Sequence, residues 1–108
     1  MTDGEFQALC ERVLRSIEDG LDRCGADVET SRQGPVLELE FDDGSKMVIN
    51  GNAALQELWV AARAGGFHFR FDGERWLDTR SGDELFACLS RLVSQQGGAP
   101  VMLGPGRA

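Results

Sequence analysis

The first part of the chain carries hydrophobic residues at helical spacing. They recur at steps of three and four residues, which marks one face of an amphipathic helix: Phe6, Leu9, Cys10, Val13, Ile17, Leu21 and Cys24. Thr2 and Glu5 have the spacing of a capping box, and Gly25 is a typical helix stop. The pattern predicts a helix over residues 4–24 with acidic side chains on its outward faces.

The periodicity then changes to two, which is typical of a strand with one buried face. VLELEF (36–41) is followed by an Asp-Asp-Gly turn at 42–44 and by SKMVIN (45–50), which reads as an antiparallel partner. The predicted inward positions are Leu37, Leu39, Phe41, Met47 and Ile49. A short strand near residues 27–32 is expected before this pair.

The next segment, ALQELWVAA, has mixed propensity, because Ala, Leu, Gln and Glu favour helix whereas Trp and Val favour strand. FHFRF (67–71) is clearer, with its phenylalanines facing inward and His68 and Arg70 outward. An Asp-Gly turn then leads to a short strand at Trp76 and Leu77, and alternation leaves open which of these two is buried.

Ser81 and Glu84 have the spacing of a second capping box, and helical periodicity follows to about Gln96. The Gly- and Pro-rich tail, residues 97–108, shows no periodicity and either packs through its apolar residues Val101, Met102 and Leu103 or lies loose. The order is a helix, about six short strands and a helix. It predicts an α+β fold with two helices packed on one face of a single antiparallel β-sheet.

At 108 residues the chain fits one domain over 1–108, with a core at about 3–96. The polar start and the lack of an apolar run near ~20 residues predict a cytoplasmic protein. The three cysteines show no C-x-x-C spacing, so we expect reduced thiols, with Cys10 and Cys88 buried as small hydrophobes.

The net charge of −7 argues against nucleic acid and anionic membranes as partners and favours cations or basic proteins. The charge is uneven, because residues 1–43 hold twelve acidic and four basic residues, whereas the remainder holds six acidic and seven basic ones. The negative charge is therefore expected on the first helix and the segment that follows it.

Helical spacing brings several of these acids together in what we call the acidic ridge: Glu11, Glu18, Asp19, Asp22, Asp27 and Glu29. One interpretation is a solvated face with pairs such as Glu11–Arg15 and Asp19–Arg23, each worth about 0.2–0.5 kcal/mol. The other is a functional surface, since the acids outnumber their partners, and Asp19 and Asp22 lie near the helix C-terminus, where the macrodipole disfavours negative charge. Exposed carboxylates suit weak binding of iron, manganese, calcium or magnesium, and attract basic proteins.

Two further residues are candidates for binding. If Leu58 and Val60 face inward, Trp59 lies on the uncovered face of the sheet, where an exposed tryptophan is a typical interface anchor. His68 is the single histidine, a candidate for a metal or haem iron and more often a plain surface residue. No catalytic residues are predicted, because the sequence lacks the motifs of the common hydrolase, kinase and metalloprotease sites.

The run GSKMVINGNAALQELWVAARAGGFHFRFDGERWLDTRSG, residues 44–82, resembles the core of bacterial frataxins. The shared elements are GSK-x-VIN, a tryptophan followed by a small-residue turn, GG-x-HF, a tryptophan strand and D-x-RSG. With the flanking helices, the resemblance covers about residues 3–96, and it supports a strand at 55–61.

The resemblance implies an iron-binding accessory protein of iron–sulfur cluster assembly, a monomer without metal, that modulates a cysteine desulfurase and contacts the iron–sulfur scaffold protein. Iron, as Fe²⁺ or Fe³⁺, or another divalent cation would bind weakly on the acidic ridge, to which the resemblance adds Asp3. The residues implied for partner binding are Glu18, Asp19, Asp22, Asn50 and Trp59. Where the family usually has a glutamine two residues before the tryptophan, this chain has Glu57.

Three alternatives remain at this point. The same carboxylates could serve a ferroxidase, which oxidises ferrous iron. His68 or a cysteine could hold haem or another metal. The chain could also be an adaptor with no metal function.

Overall fold

The structure is a computed structural model that describes residues 1–104, and over that range it contains two helices and six strands. In chain order these are α1 (Asp3–Arg23), β1 (Val28–Gln33), β2 (Val36–Phe41), β3 (Lys46–Asn52), β4 (Glu57–Ala62), β5 (Gly65–Phe71), β6 (Trp76–Asp78) and α2 (Leu85–Gly97). All strand pairs are antiparallel, and the sheet order follows the chain order from β1 to β6. The predicted fold, two helices packed on a six-stranded antiparallel sheet, is confirmed.

The start of α1 follows its sequence signal. The Thr2 hydroxyl accepts the Glu5 N–H at 3.1 Å, and the Glu5 carboxylate accepts the Thr2 N–H at 2.8 Å, which completes the capping box. The helix ends at Arg23, and Gly25 then takes a positive φ of 68°. Glycine adopts this conformation without steric cost, so the chain can turn towards β1.

The core lies between the helices and one face of the sheet. The predicted inward residues of β2 and β3 are all buried, as are Leu58 and Val60 of β4 and Phe69 of β5. They form one cluster with the buried side chains of α1 and α2. In β6 the buried residue is Trp76, whose ring meets Phe6 of α1 edge-on at 6.1 Å. Both helices therefore cover the same face, and the other face stays open.

Cys10 and Cys88 are buried as predicted, and Cys24 is exposed. Cys10 also shows how closely α1 approaches the sheet, because a Cβ added at Gly51 would lie 2.8 Å from the Cys10 sulfur. A residue with a side chain at position 51 would therefore push α1 away from β3.

The strand choice for ALQELWVAA is confirmed, but β4 begins at Glu57, two residues later than expected. Leu55 and Gln56 belong to the preceding turn, in which the Asn52 side chain accepts the Leu55 N–H at 3.0 Å and Gln56 has a φ of 53°. A residue with positive φ does not continue a pleated strand, so pairing starts after it.

The second capping box is wrong. The N-cap of α2 is Glu84, whose carboxylate accepts the N–H groups of Phe86 and Ala87. The Ser81 hydroxyl instead accepts the Asp83 N–H inside the preceding loop. The reason is a single antiparallel bridge between Leu77 and Glu84, which keeps the chain extended up to the cap and delays the helix.

Of the predicted tail 97–108, Gly97 ends α2 and Gly98 caps it, and residues 101–104 pack against both helices. The Ser94 hydroxyl accepts the Val101 N–H at 2.9 Å, and the Ser90 hydroxyl accepts the Leu103 N–H at 2.8 Å. Leu103 is buried at 5% exposure, and a Cβ at Gly20 of α1 would lie 3.2 Å from it. Residues 105–108 of the predicted tail lie outside the described residues. Over residues 1–104, neither helix combines the length and the hydropathy needed to cross a membrane.

We expect Leu103→Ala to lower the free energy of unfolding by about 2 to 3 kcal/mol, because it removes a buried side chain between α1 and α2 and leaves a cavity. Urea denaturation monitored by circular dichroism would measure the change. Met102→Ala is the matched control: Met102 is 85% exposed, and its loss should change stability by less than about 0.5 kcal/mol. Equal effects at the two positions would show that the tail does not pack on the helices in solution.

Candidate functional site

The acidic residues predicted as a single ridge do not all meet in the structure. Glu11, Glu18, Asp19 and Asp22 lie on α1, and Asp27 follows in the loop before β1. Asp3 lies in the first turn of the same helix, eight residues and roughly 12 Å before Glu11. It is therefore at the other end of the helix from Asp22.

Glu29 points away from the helix side of the sheet. Its register partner is Glu40, and the neighbouring residues Val28 and Phe41, also partners, face the core. Because side chains alternate between faces, Glu29 and Glu40 lie on the open face. The structure thus keeps Glu11, Glu18, Asp19, Asp22 and Asp27 near one edge, and places Asp3 and Glu29 apart from them.

Two of the ridge carboxylates share an arginine that the sequence analysis did not identify. Arg32 of β1 donates through Nη2 to the Glu11 carboxylate at 2.5 Å, and its Nη1 lies 3.3 Å from the Glu18 carboxylate. Arg15 also donates to Glu11 at 2.8 Å, which confirms the predicted Glu11–Arg15 pair. The hydrogen bond from Arg32 is the main cause that lowers the pKa of Glu11.

The three remaining carboxylates on this edge lie at the surface. Asp19, Asp22 and Asp27 are exposed, and none of them forms an ion pair with a residue of the described range. The predicted Asp19–Arg23 pair is likewise absent from residues 1–104. The negative charge is therefore concentrated where α1 ends and the chain turns into β1.

The ridge is not a preformed metal cage. In the part of the chain that the structure describes, no three or more histidine, cysteine or acidic side chains are grouped so as to hold a metal ion. Burial also raises the pKa of the Cys10 thiol to about 11, and burial raises that of Cys88. These two thiols stay protonated at neutral pH, so neither is in the form that ligates a metal ion.

The open face of the sheet carries a second cluster, which we call the Trp59 platform: Glu57, Trp59, His68 and Arg70. Trp59 of β4 and His68 of β5 are register partners, and their rings stack with centroids 4.8 Å apart and planes at 15°. Trp59 faces away from the core, as predicted, and is partly exposed. Asn50 of β3 is its register partner on the other side.

Glu57 lies on the open face, and its carboxylate contacts the other three residues of the platform. It is 7% exposed, and its two oxygens accept hydrogen bonds from the Trp59 indole N–H and the Arg70 guanidinium, each at 2.9 Å. His68 Nδ1 lies 3.8 Å from the same carboxylate. These contacts, the indole N–H first, lower the pKa of Glu57, so the carboxylate is ionised at neutral pH.

Three residues that contribute contacts to the two surfaces were not predicted from the sequence: Arg32, Glu57 and Arg70. A signal for Arg32 existed, because alternation along β1 places it on the helix side of the sheet, where a charge requires a partner. Glu57 and Arg70 gave no comparable signal, because their contact depends on the β4–β5 register.

Comparison with known proteins shows the family of this chain. A family model described as a frataxin-like domain matches residues 1–99. Among curated proteins, the chain is 56% identical over 108 residues to the iron-sulfur cluster assembly protein CyaY of Cupriavidus pinatubonensis, covering 96% of this chain and 97% of that protein. The protein of the same name from Cupriavidus necator is 55% identical, with the same coverage.

The fold also matches a solved structure. The frataxin of Psychromonas ingrahamii superposes with a TM-score of 0.89 at 34% sequence identity, covering 94% of this chain and 97% of that one. Family model, sequence relatives and fold agree over nearly the whole chain, and the protein therefore belongs to the frataxin-like family.

Proposed function

We propose that this protein is an accessory protein of iron–sulfur cluster assembly that carries weakly bound iron and modulates a cysteine desulfurase. The observation that carries the proposal is the nearly full-length similarity, at 56% identity, to a protein named for that assembly process. The two surfaces described above supply the chemistry, and the proposal assigns no catalytic residue to either of them.

Iron is the cargo in this proposal and binds at the acidic ridge. Asp19, Asp22 and Asp27 are the main candidate ligands, because they are exposed and make no ion pair within residues 1–104. Exposed oxygen ligands of this kind bind hard cations weakly, with water completing the coordination. Weak binding suits a carrier that must pass its iron on.

The same charge supports docking to a basic surface of the desulfurase. Asp19 and Asp22 lie in the last turns of α1, where the partial negative charge of the helix end adds to their own. A surplus of one sign raises the association rate with an oppositely charged partner and weakens with salt. Metal and desulfurase then compete for one surface, which links iron supply to modulation of the enzyme.

The Trp59 platform is the proposed contact for the scaffold protein, together with Asn50. Large aromatic residues fixed in one conformation are effective interface anchors, because little side-chain entropy remains to be lost on binding. The hydrogen bond to Glu57 and the stacking on His68 fix the Trp59 ring in the free protein. The platform is thus prepared for contact before a partner arrives.

Asp22→Lys should weaken binding to the cysteine desulfurase of the same organism by about tenfold or more at low salt, since it replaces attraction with repulsion. Binding would be measured by biolayer interferometry at two salt concentrations. Glu74→Lys, the same charge change in the exposed turn before β6, is the control and should bind almost as the unmodified protein does. Equal loss in both variants would indicate a dependence on net charge alone and contradict docking at the ridge.

The iron proposal is tested by anaerobic titration with ferrous iron, followed by amide NMR. Amide signals of residues 18–28 should broaden first. Those around Asp72, an acid that already accepts the N–H groups of Glu74 and Arg75, should broaden later and less. Uniform broadening across both acidic regions would refute a preferred site at the ridge.

Trp59→Ala should reduce affinity for the scaffold protein by about 30-fold, the usual loss for an aromatic anchor. Isothermal titration calorimetry would measure it. Leu55→Ala serves as control, because Leu55 is an apolar side chain, 54% exposed, in the turn before β4 and outside the platform. A comparable loss of affinity in Leu55→Ala would contradict an interface centred on the platform.

The lowered pKa of Glu57 predicts a pH dependence of stability. A carboxylate with a lowered folded-state pKa stabilises the fold above its unfolded pKa of about 4.3 and loses that contribution as the pH falls towards the folded value. Glu57→Gln should therefore flatten the decline of stability below about pH 5, as measured by urea midpoints at several pH values. The control Glu74→Gln should decline as steeply as the unmodified protein; an equally steep decline in Glu57→Gln would contradict the role of its charge.

A further inference from the structure

We infer that Arg32 acts as a built-in counter-cation that keeps metal ions away from Glu11 and Glu18, so that only the far end of the acidic ridge is open to iron. The inference rests on the proposed function, because it concerns which carboxylates of the ridge hold the cargo. It divides the ridge into an occupied half, Glu11 and Glu18, and an open half, Asp19, Asp22 and Asp27.

The position of Arg32 in β1 limits where its guanidinium can lie. In the β1–β2 register it lies opposite Leu37, a fully buried residue, so its side chain leaves the strand on the side covered by α1. The side chain is only 20% exposed. A guanidinium so far removed from water needs carboxylate partners, and the residues of α1 that supply them are Glu11 and Glu18.

The two glutamates already converge on one cation. They lie seven residues apart, two turns of the same helix face, and each has an oxygen within 3.3 Å of the guanidinium. Both carboxylates are thereby held against the guanidinium, whose positive charge repels any metal ion that approaches.

Arg32 cannot be displaced as easily as an arginine on an exposed surface. Its backbone is paired with β2 along the whole of β1, and its side chain is only 20% exposed. Moving the guanidinium away would leave Glu11 with Arg15 alone and would leave Glu18 without an ion pair among the described residues. A metal ion must therefore overcome both the lost contacts and the remaining charge.

The open half has no such occupant. Asp19, Asp22 and Asp27 are exposed and without ion pairs in residues 1–104, and the nearest cation along the helix, Arg23, is exposed and unpaired there too. The charges of Glu11 and Glu18 are offset by Arg15 and Arg32, whereas no ion pair within residues 1–104 offsets those of the open half. Metal ions, and basic groups of a partner, are directed to the end of α1.

The experiment uses Mn²⁺ as the probe, because the electron paramagnetic resonance signal of free aqueous Mn²⁺ reports the unbound fraction directly. The full-length protein is compared with Arg32→Met, with Arg32→Gln as a second neutral variant, and with Arg75→Met. Arg75 precedes β6 at the opposite edge of the sheet, so its variant has the same net charge without touching the ridge. Circular dichroism confirms that each variant is folded.

We expect Arg32→Met and Arg32→Gln to bind Mn²⁺ about tenfold more tightly than the unmodified protein. Arg75→Met should stay within about twofold of it. Adding Glu11→Gln and Glu18→Gln to Arg32→Met should remove the gain, since these carboxylates form the newly available site.

No gain on loss of Arg32, or a gain that survives the loss of both glutamates, would overturn the inference. The outcome is separable from the proposed function. If the unmodified protein binds neither Mn²⁺ nor anaerobic Fe²⁺ while Arg32→Met does, iron carriage fails and the role of Arg32 stands. If the unmodified protein binds metal at the open half and the Arg32 variants match it, iron carriage stands and the role of Arg32 fails.

Discussion

The fold depends on burying a single face of the sheet. Leu37, Leu39, Met47 and Ile49 are fully buried beneath the two helices, which both pack on that side. Because neighbouring side chains of a strand point to opposite faces, burial of this set fixes the orientation of every residue on the open face. A slip of one residue in any strand would exchange the two faces, so the register that stabilises the core also places Trp59 and His68 side by side.

The fold divides charged side chains into two groups, as it does hydrophobic ones: some carboxylates are held in fixed contacts, and others are exposed to solvent. At the Trp59 platform, the carboxylate of Glu57 is satisfied by an indole and a guanidinium and mainly serves to fix neighbouring rings. At the ridge, Glu11 and Glu18 are held by Arg32, while Asp19 and Asp22 are exposed and make no ion pair with any residue of 1–104. In both places the ion-paired carboxylates contribute to the fold by fixing neighbouring side chains.

Periodicity in the sequence was sufficient to predict the layers of the fold, the inward residues of β2, β3 and β5 and the start of α1, because each depends on local spacing. It failed at Ser81, where a long-range bridge between Leu77 and Glu84 delays the helix. It also overestimated the ridge: Glu29 follows the acids closely in sequence but points to the other face. Arg32 and Arg70 act through contacts 21 and 13 residues away in the chain, which no short window reveals.

The contact between Leu103 and Gly20 joins the end of the described chain to the helix turn that carries Asp19 and Asp22. Gly20 is buried, so the apolar side chain of Leu103 lies behind the helix turn that carries these two carboxylates. Trimming by a protease before residue 101 would uncover a small hydrophobic gap at this turn and loosen its backbone. The layout of negative charge on the first helix is thus maintained by residues near the other end of the described chain, and their loss would alter the acidic ridge.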